Sequence, residues 1–148
     1  MCNNVLIPAI EIGMYVHVSS VYDASYDATR MRINYSGNRE GGCSWIAAAS
    51  NQNQWVMAST IILKEWCKIS LQGRGNSNQF VTKFRISYPK NGRDWHLYNN
   101  GEILNGNSND TSVVHIDLVP FIARSIKFIP IDWSGHISMR LETYFRDY

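Results

Sequence analysis

The most polar loop of the chain reads GRGNSNQ over residues 73–79, between apolar, strand-like runs. Arg74 stands between two glycines, and Asn76, Asn78 and Gln79 follow it. Guanidinium and amide groups offer planar, multidentate hydrogen bonding, which suits a phosphate, a nucleic-acid backbone or a sugar. The competing reading is loop chemistry alone: Gly73 and Gly75 serve a tight turn, and Arg74 folds back onto loop carbonyls or a carboxylate. The spacing G-x-x-x-x-G-K-[ST] is absent and no helical sequence follows, which argues against a nucleotide cradle. The formal net charge is only +2, and the fourteen Lys and Arg are spread along the chain. A nucleic-acid partner would need a concentrated basic patch.

Other chemistry-bearing residues form no catalytic pattern. His17, His96, His115 and His136 all lie in strand-like runs and read as structural. There is no G-x-S-x-G elbow and no H-E-x-x-H, and the three cysteines (Cys2, Cys43, Cys67) have no zinc spacing. Glu40 and Glu142 could serve acid–base chemistry, hold a hard cation through oxygen, or be solvated. Nothing here requires an enzyme. A sugar fits the loop better, because neutral polyols are recognised by bidentate polar groups together with aromatic faces. Arg74, Asn76, Asn78 and Gln79 supply the first; Tyr22, Tyr26 and Tyr35 can supply the second.

The elements that must position these residues are strands. The chain has 148 residues, 45% of them hydrophobic, enough for one domain over 1–148 with a buried core. Short β-branched and aromatic runs occupy 14–22, 55–63, 67–72, 80–88, 95–98, 112–118, 124–131 and 136–145. Asn, Gly, Ser and Asp clusters separate them, the pattern of an antiparallel sandwich or barrel. Asn91-Gly92 predicts a type I′ hairpin turn, with Pro89 ending the preceding strand or lying at its edge. In 136–145, Ile137, Met139, Leu141, Thr143 and Phe145 should face the core. Arg140 and Glu142 then share the opposite face and need partners if that face is covered. Residues 19–54 are polar, Tyr-rich and too long for a simple connection, as expected of a binding loop.

No apolar run approaches the roughly 18 residues of a membrane span. The N-terminus MCNNVLIPAIEIGMYV lacks a positively charged n-region and a long h-region, so cytoplasmic residence or secretion without a signal peptide is expected. Three cysteines cannot all pair within one chain, and free thiols in a reducing compartment are the simple expectation.

Three longer stretches carry a family likeness. LQGRG…QFVTKFRISYPKNGRDWHLYNNG, ARSIKFIPIDWSGHISMRLE and GGCSWIAAASNQNQWV occur in the chain. They resemble the central, closing and middle motifs of the discoidin domain, also called the coagulation factor V/VIII type C domain. The resemblance covers nearly the whole chain and is strongest to the N-terminal domain of the slime-mould discoidins. It implies a jelly-roll β-sandwich of about eight antiparallel strands, with ligand contacts on the loops 19–33, 37–42 and 73–79 at one end.

It further implies a lectin module for galactose- or N-acetylgalactosamine-type glycans and glycoproteins, with no catalysis, acting in recognition or adhesion and gaining avidity as a homo-oligomer. A protein-interaction module or a peripheral phospholipid binder are the alternatives the family offers. The implied ligand contacts are Tyr22, Asp23, Tyr26, Asn38, Arg39, Arg74, Asn76, Asn78 and Gln79. Some members hold calcium near an acidic-Gly pair and a carboxylate on the last strand. Glu40 and Glu142 occupy those positions here, and Cys43 stands where an oxygen ligand is common.

Overall fold

Alternating apolar residues build two facing layers. In one, Val56 and Ala58, Ile126 and Phe128, and Phe84 and Ile86 point inward and are at most 1% exposed. In the other, Trp66, Ile69, Leu71, Met139, Leu141 and Phe145 also point inward and are at most 2% exposed. The two sets meet in one core cluster, with Trp66 edge-on to Phe145 at 5.5 Å. Burial of aromatic and branched side chains on this scale is the main favourable contribution to folding.

The structure, a computed structural model, describes residues 5–37 and 43–148. Within them lie nine strands: β1 (Ile7–Pro8), β2 (Tyr15–Val18), β3 (Trp45–Ile46), β4 (Val56–Gln72), β5 (Phe80–Lys90), β6 (Asp94–Leu97), β7 (Leu104–Asn105), β8 (Val114–Ser134) and β9 (Ser138–Asp147). Antiparallel pairing runs β1-β9-β4-β8-β5-β6, with β2 on β4, β3 on β9 and β7 on β5. The expected all-β sandwich is present, with nine described strands rather than about eight.

The long strands β4 and β8 belong to both layers. Val56–Ser59 pairs with β2 and with 125–128 of β8, whereas Lys64–Gln72 pairs with β9 and with the first half of β8. Register slips at Ser59/Lys64 and Trp66/Lys68 let the pair bend from one layer to the other. The runs 55–63 and 67–72 are therefore one strand, as are 112–118 and 124–131. Sequence patterning splits them because a bulge interrupts alternation without interrupting pairing.

The hairpin at 91–92 forms as its residues require. Asn91 and Gly92 have φ of 60° and 71°, and the Arg93 N–H donates to the Lys90 carbonyl at 3.5 Å. Arg93 is an additional loop residue, since Lys90 pairs with Asp94. Pro89 lies beyond the last β5–β8 register pair, Ser87↔Lys127, so its missing N–H costs no ladder bond on that side.

On β9 the inward set is as expected, and the outward face is covered as well: Arg140 and Glu142 are only 5% and 4% exposed. Arg140 donates from Nε to the Gly73 carbonyl (2.7 Å), and its two terminal nitrogens reach the Tyr35 (2.9 Å) and Asp110 (3.3 Å) carbonyls. Glu142 accepts from the backbone N–H groups of Ile10 (2.7 Å), Glu11 (3.0 Å) and Thr143 (3.0 Å). Burial still raises its carboxyl above the ordinary value, against the pull of those three donors. Of the cysteines, Cys43 is free and Cys67 is disulfide-bonded, which corrects the expectation of free thiols at Cys67. No helix is long and apolar enough to cross a membrane among the described residues.

Candidate functional site

Two loops meet where β4 ends and β9 begins. The first, 19–33, is organised by two short 3-10 turns. Asp23 caps Ala24–Tyr26 by accepting from the Ser25 N–H (2.8 Å), and Asp27 caps Ala28–Arg30 by accepting from the Thr29 N–H (3.0 Å). The buried Trp45 anchors the loop by donating from Nε1 to the Ser20 carbonyl at 2.8 Å. The Tyr22 N–H bonds the Ile46 carbonyl at 2.8 Å, which sets Tyr22 beside β3.

The second loop, 73–79, closes on itself. Arg74 and Gln79 form an antiparallel bridge, with the Arg74 N–H on the Gln79 carbonyl at 2.9 Å. Asn76 and Asn78 take φ of 59° and 56°, the left-handed region that Asn tolerates best after Gly. Asp110 braces the loop from outside: its Oδ2 accepts from the Ser77 and Asn78 N–H groups, both at 2.8 Å. Those two bonds hold its carboxyl below the ordinary value of 3.8. Gly73 is fixed by close approach, because a Cβ there would lie 2.6 Å from Phe80 Cβ and 2.8 Å from the Gln79 carbonyl oxygen.

Between the loops lies a cup of about 330 Å³ lined by Tyr22, Tyr26, Ile46, Arg74, Gln79 and His136. The Arg74 guanidinium lies 5.1 Å from the Tyr26 ring centroid and donates to Gln79 Oε1 (3.1 Å) and the Tyr26 hydroxyl (3.4 Å). Gln79 Oε1 also accepts from Ser138 Oγ at 3.0 Å. Its Nε2 donors have no acceptor among the described residues. The Tyr22 ring, 61% exposed, stands edge-on to Tyr26 and to His136, each at 6.1 Å. His136 Nε2 lies 2.8 Å from the Ala47 carbonyl. A carbonyl only accepts, so Nε2 carries the proton and Nδ1 of the neutral ring is left as an acceptor. The cup thus combines aromatic faces, three uncommitted guanidinium donors, two amide donors and one imidazole acceptor. That equipment suits a small polyol, and its lining contains no nucleophile–base pair.

Of the sequence-derived candidates, Tyr22, Tyr26, Arg74 and Gln79 come together in this cup. Asp23 caps a turn beside it, and Asn76 and Asn78 are exposed on its rim. Asn38, Arg39 and Glu40 lie outside the described residues. Both Glu142 oxygens are engaged by backbone N–H groups, and no cluster of three His, Cys, Asp or Glu able to hold a metal occurs among the described residues. Of the two positions implied for calcium, Glu142 has its carboxylate on backbone N–H groups, and Glu40 lies outside the described residues. Sequence reasoning misses His136 and Ile46. The usable signal for His136 is Gly135, whose φ is +68° and whose added Cβ would meet Gln79 Cγ at 3.1 Å and the Asn78 carbonyl oxygen at 3.2 Å.

Residues 16–143 match the F5/8 type C domain. The chain belongs to that family. Discoidin-2 of Dictyostelium discoideum is 36% identical over 132 residues, covering 85% of this chain and 51% of that protein. A discoidin-1 protein of the same organism is 31% identical over 135 residues, covering 88% and 53%. The solved wild-type discoidin II superposes with a TM-score of 0.91 at 31% identity, over 95% of this chain and 58% of that one. A family 32 carbohydrate-binding module from C. perfringens, solved in complex with galactose, has a TM-score of 0.72 at 17% identity, over 95% and 99%, and shares the F5/8 type C fold. The chain spans about half the length of the curated relatives it matches. Its family is one of non-catalytic binding domains.

Proposed function

We propose that the chain is a lectin module that binds galactose- or N-acetylgalactosamine-type glycans in the cup between loops 19–33 and 73–79, and serves cell recognition or adhesion. The observation that carries this reading is the convergence of Arg74, Gln79 and His136 on the Tyr22–Tyr26 pair. A pyranose presents an apolar face for the aromatic rings and a fan of hydroxyls for the polar groups. Arg74 and Gln79 donate to ring hydroxyl oxygens, His136 Nδ1 accepts one hydroxyl proton, and Asn76 and Asn78 on the rim meet substituents. The discoidin names of the relatives and the galactose complex of the carbohydrate-binding module support the same ligand class. One shallow cup gives weak affinity, so useful avidity comes from a homo-oligomer.

The test is a glycan array with free-galactose competition, run with and without calcium. The expected outcome is galactose-competed binding that chelation leaves intact. A folded protein that binds no glycan would overturn the proposal. Protein-only capture would favour a protein-interaction module, and vesicle binding a phospholipid one.

A further inference from the structure

A second feature lies on the outer face of the other layer, away from the cup. Cross-strand register places His17, Met57, Lys127, Ser87 and Leu97 in one directly paired row across β2, β4, β8, β5 and β6. Paired residues in antiparallel strands share a face, and the intervening residues Val56, Ile126 and Phe128 point into the core. This row therefore points outward. Two residues along on the same face, Tyr15 and Trp95 flank it on the outer strands β2 and β6.

The outward face is unusual in composition. Tyr15, Trp95 and Leu97 are 68%, 42% and 47% exposed, and the Tyr15 and His17 rings lie 4.4 Å apart. Lys127 extends across β5 so that its Nζ is 4.0 Å from the Trp95 ring centroid and 5.0 Å from that of Trp55. Beneath it, Ser87 is only 5% exposed although it belongs to the outward row. No carboxylate occupies the row, and none pairs with Lys127 among the described residues. Partial burial holds the ammonium below its ordinary pKa. The partly buried ammonium rests on two indole faces with no carboxylate partner among the described residues, so it remains able to pair with an arriving anion.

We propose that this face is a second binding surface, for an extended acidic polysaccharide. Four strand spacings separate β2 from β6, roughly 19 Å, so the row from Tyr15–His17 to Trp95 engages several successive sugar rings. The rings of Tyr15 and Trp95 offer stacking surfaces to the sugars, and Lys127, already positioned between two indoles, takes a carboxylate. The face exposes the rings of Tyr15 and Trp95 with Leu97 as its one largely exposed aliphatic side chain, which suits a linear glycan better than insertion into a lipid surface. This surface does not depend on the loop cup.

The test uses the full chain, with polygalacturonate as the acidic probe and a neutral galactan of similar length as control, read by affinity electrophoresis and tryptophan fluorescence. Wild type should bind polygalacturonate, quench its tryptophan emission and release the polymer as salt screens the charge. Trp95→Ala and Lys127→Gln should each weaken binding about ten-fold or more, with Arg74→Ala unchanged. Trp95 is on an edge strand and Lys127→Gln removes only a charge, so both variants should keep their melting transitions. Absence of polygalacturonate binding overturns the proposal. So does equal weakening by Arg74→Ala, or equal binding of the neutral polymer. Concentration-dependent self-association lost in Trp95→Ala would assign the face to a second copy of the chain instead.

Discussion

Two arginines lie within the same end of the sandwich and do opposite work. Arg140 is buried on β9, and all of its hydrogen bonds end on backbone carbonyls of three different segments: Gly73, Tyr35 and Asp110. Arg74 is half-buried, its guanidinium donates to the side chains of Gln79 and Tyr26, and three of its N–H donors stay uncommitted beside the cup. The first arginine builds the platform, and the second is the one proposed to face the ligand. Burial and partner type separate them: Arg140 is 5% exposed and bonded through all three of its nitrogens to main chain, whereas Arg74 is half-buried, bonds only side chains through its guanidinium and lies beside aromatic rings.

Substitutions can break that contrast, beginning with the largest effect. Arg140→Ala should cost about 3 kcal/mol or more, because one buried and two part-buried carbonyls lose their donor at once and a large buried side chain is removed. Chemical denaturation would measure it, and near-wild-type stability would end the structural assignment. Gly73→Ala should cost about 1–3 kcal/mol, since its Cβ meets backbone and a fixed Cβ rather than a movable side-chain tip. Asp110→Asn should lose about 1 kcal/mol or less, because solvent screens a carboxylate at the loop surface, and should flatten the acid limb of the stability profile. The folded carboxyl lies below the ordinary value, so its contribution is fully present above 3.8 and is lost as pH falls through the folded value. An unchanged acid limb in this variant would place the acid sensitivity elsewhere. The smallest effect belongs to Gly75→Ala. Its Cβ would meet nothing closer than Arg140 at 3.6 Å, so its stability should stay within about 0.5 kcal/mol of wild type. Of the two glycines framing Arg74, only Gly73 is a steric requirement.

The pairing of Gly73 and Gly75 shows where sequence reading is strong and where it stops. That a loop tip stands at 73–79, that strands flank it, and that Ile137, Met139, Leu141, Thr143 and Phe145 face inward all follow from local pattern, because alternation and turn residues act over a few positions. Four members of the cup are legible because their residue types suit sugar recognition. His136 reads as structural because it adjoins a strand-like run. It lies before β9, on a turn made by Gly135, and only the three-dimensional closeness of 135–136 to 78–79 brings it to the site. The joining of 55–63 with 67–72 is hidden for a related reason, since bulges obey cross-strand register rather than local alternation. Gln72 shows the limit most plainly. Its neighbour Arg74 faces the cup, yet Gln72 is buried and ties Asn34 (N–H to Oε1, 2.7 Å) to the Thr111 carbonyl (2.6 Å). Nothing in the string Gln-Gly-Arg distinguishes the buried tie from the side chain that lines the cup.

The division of labour between the two arginines is tested most directly by isothermal titration of Arg74→Ala with the best glycan from the array, alongside its melting curve. The account predicts loss of measurable binding with a melting temperature within a few degrees of wild type. Wild-type affinity in this variant, or a collapse of its melting transition, would contradict it.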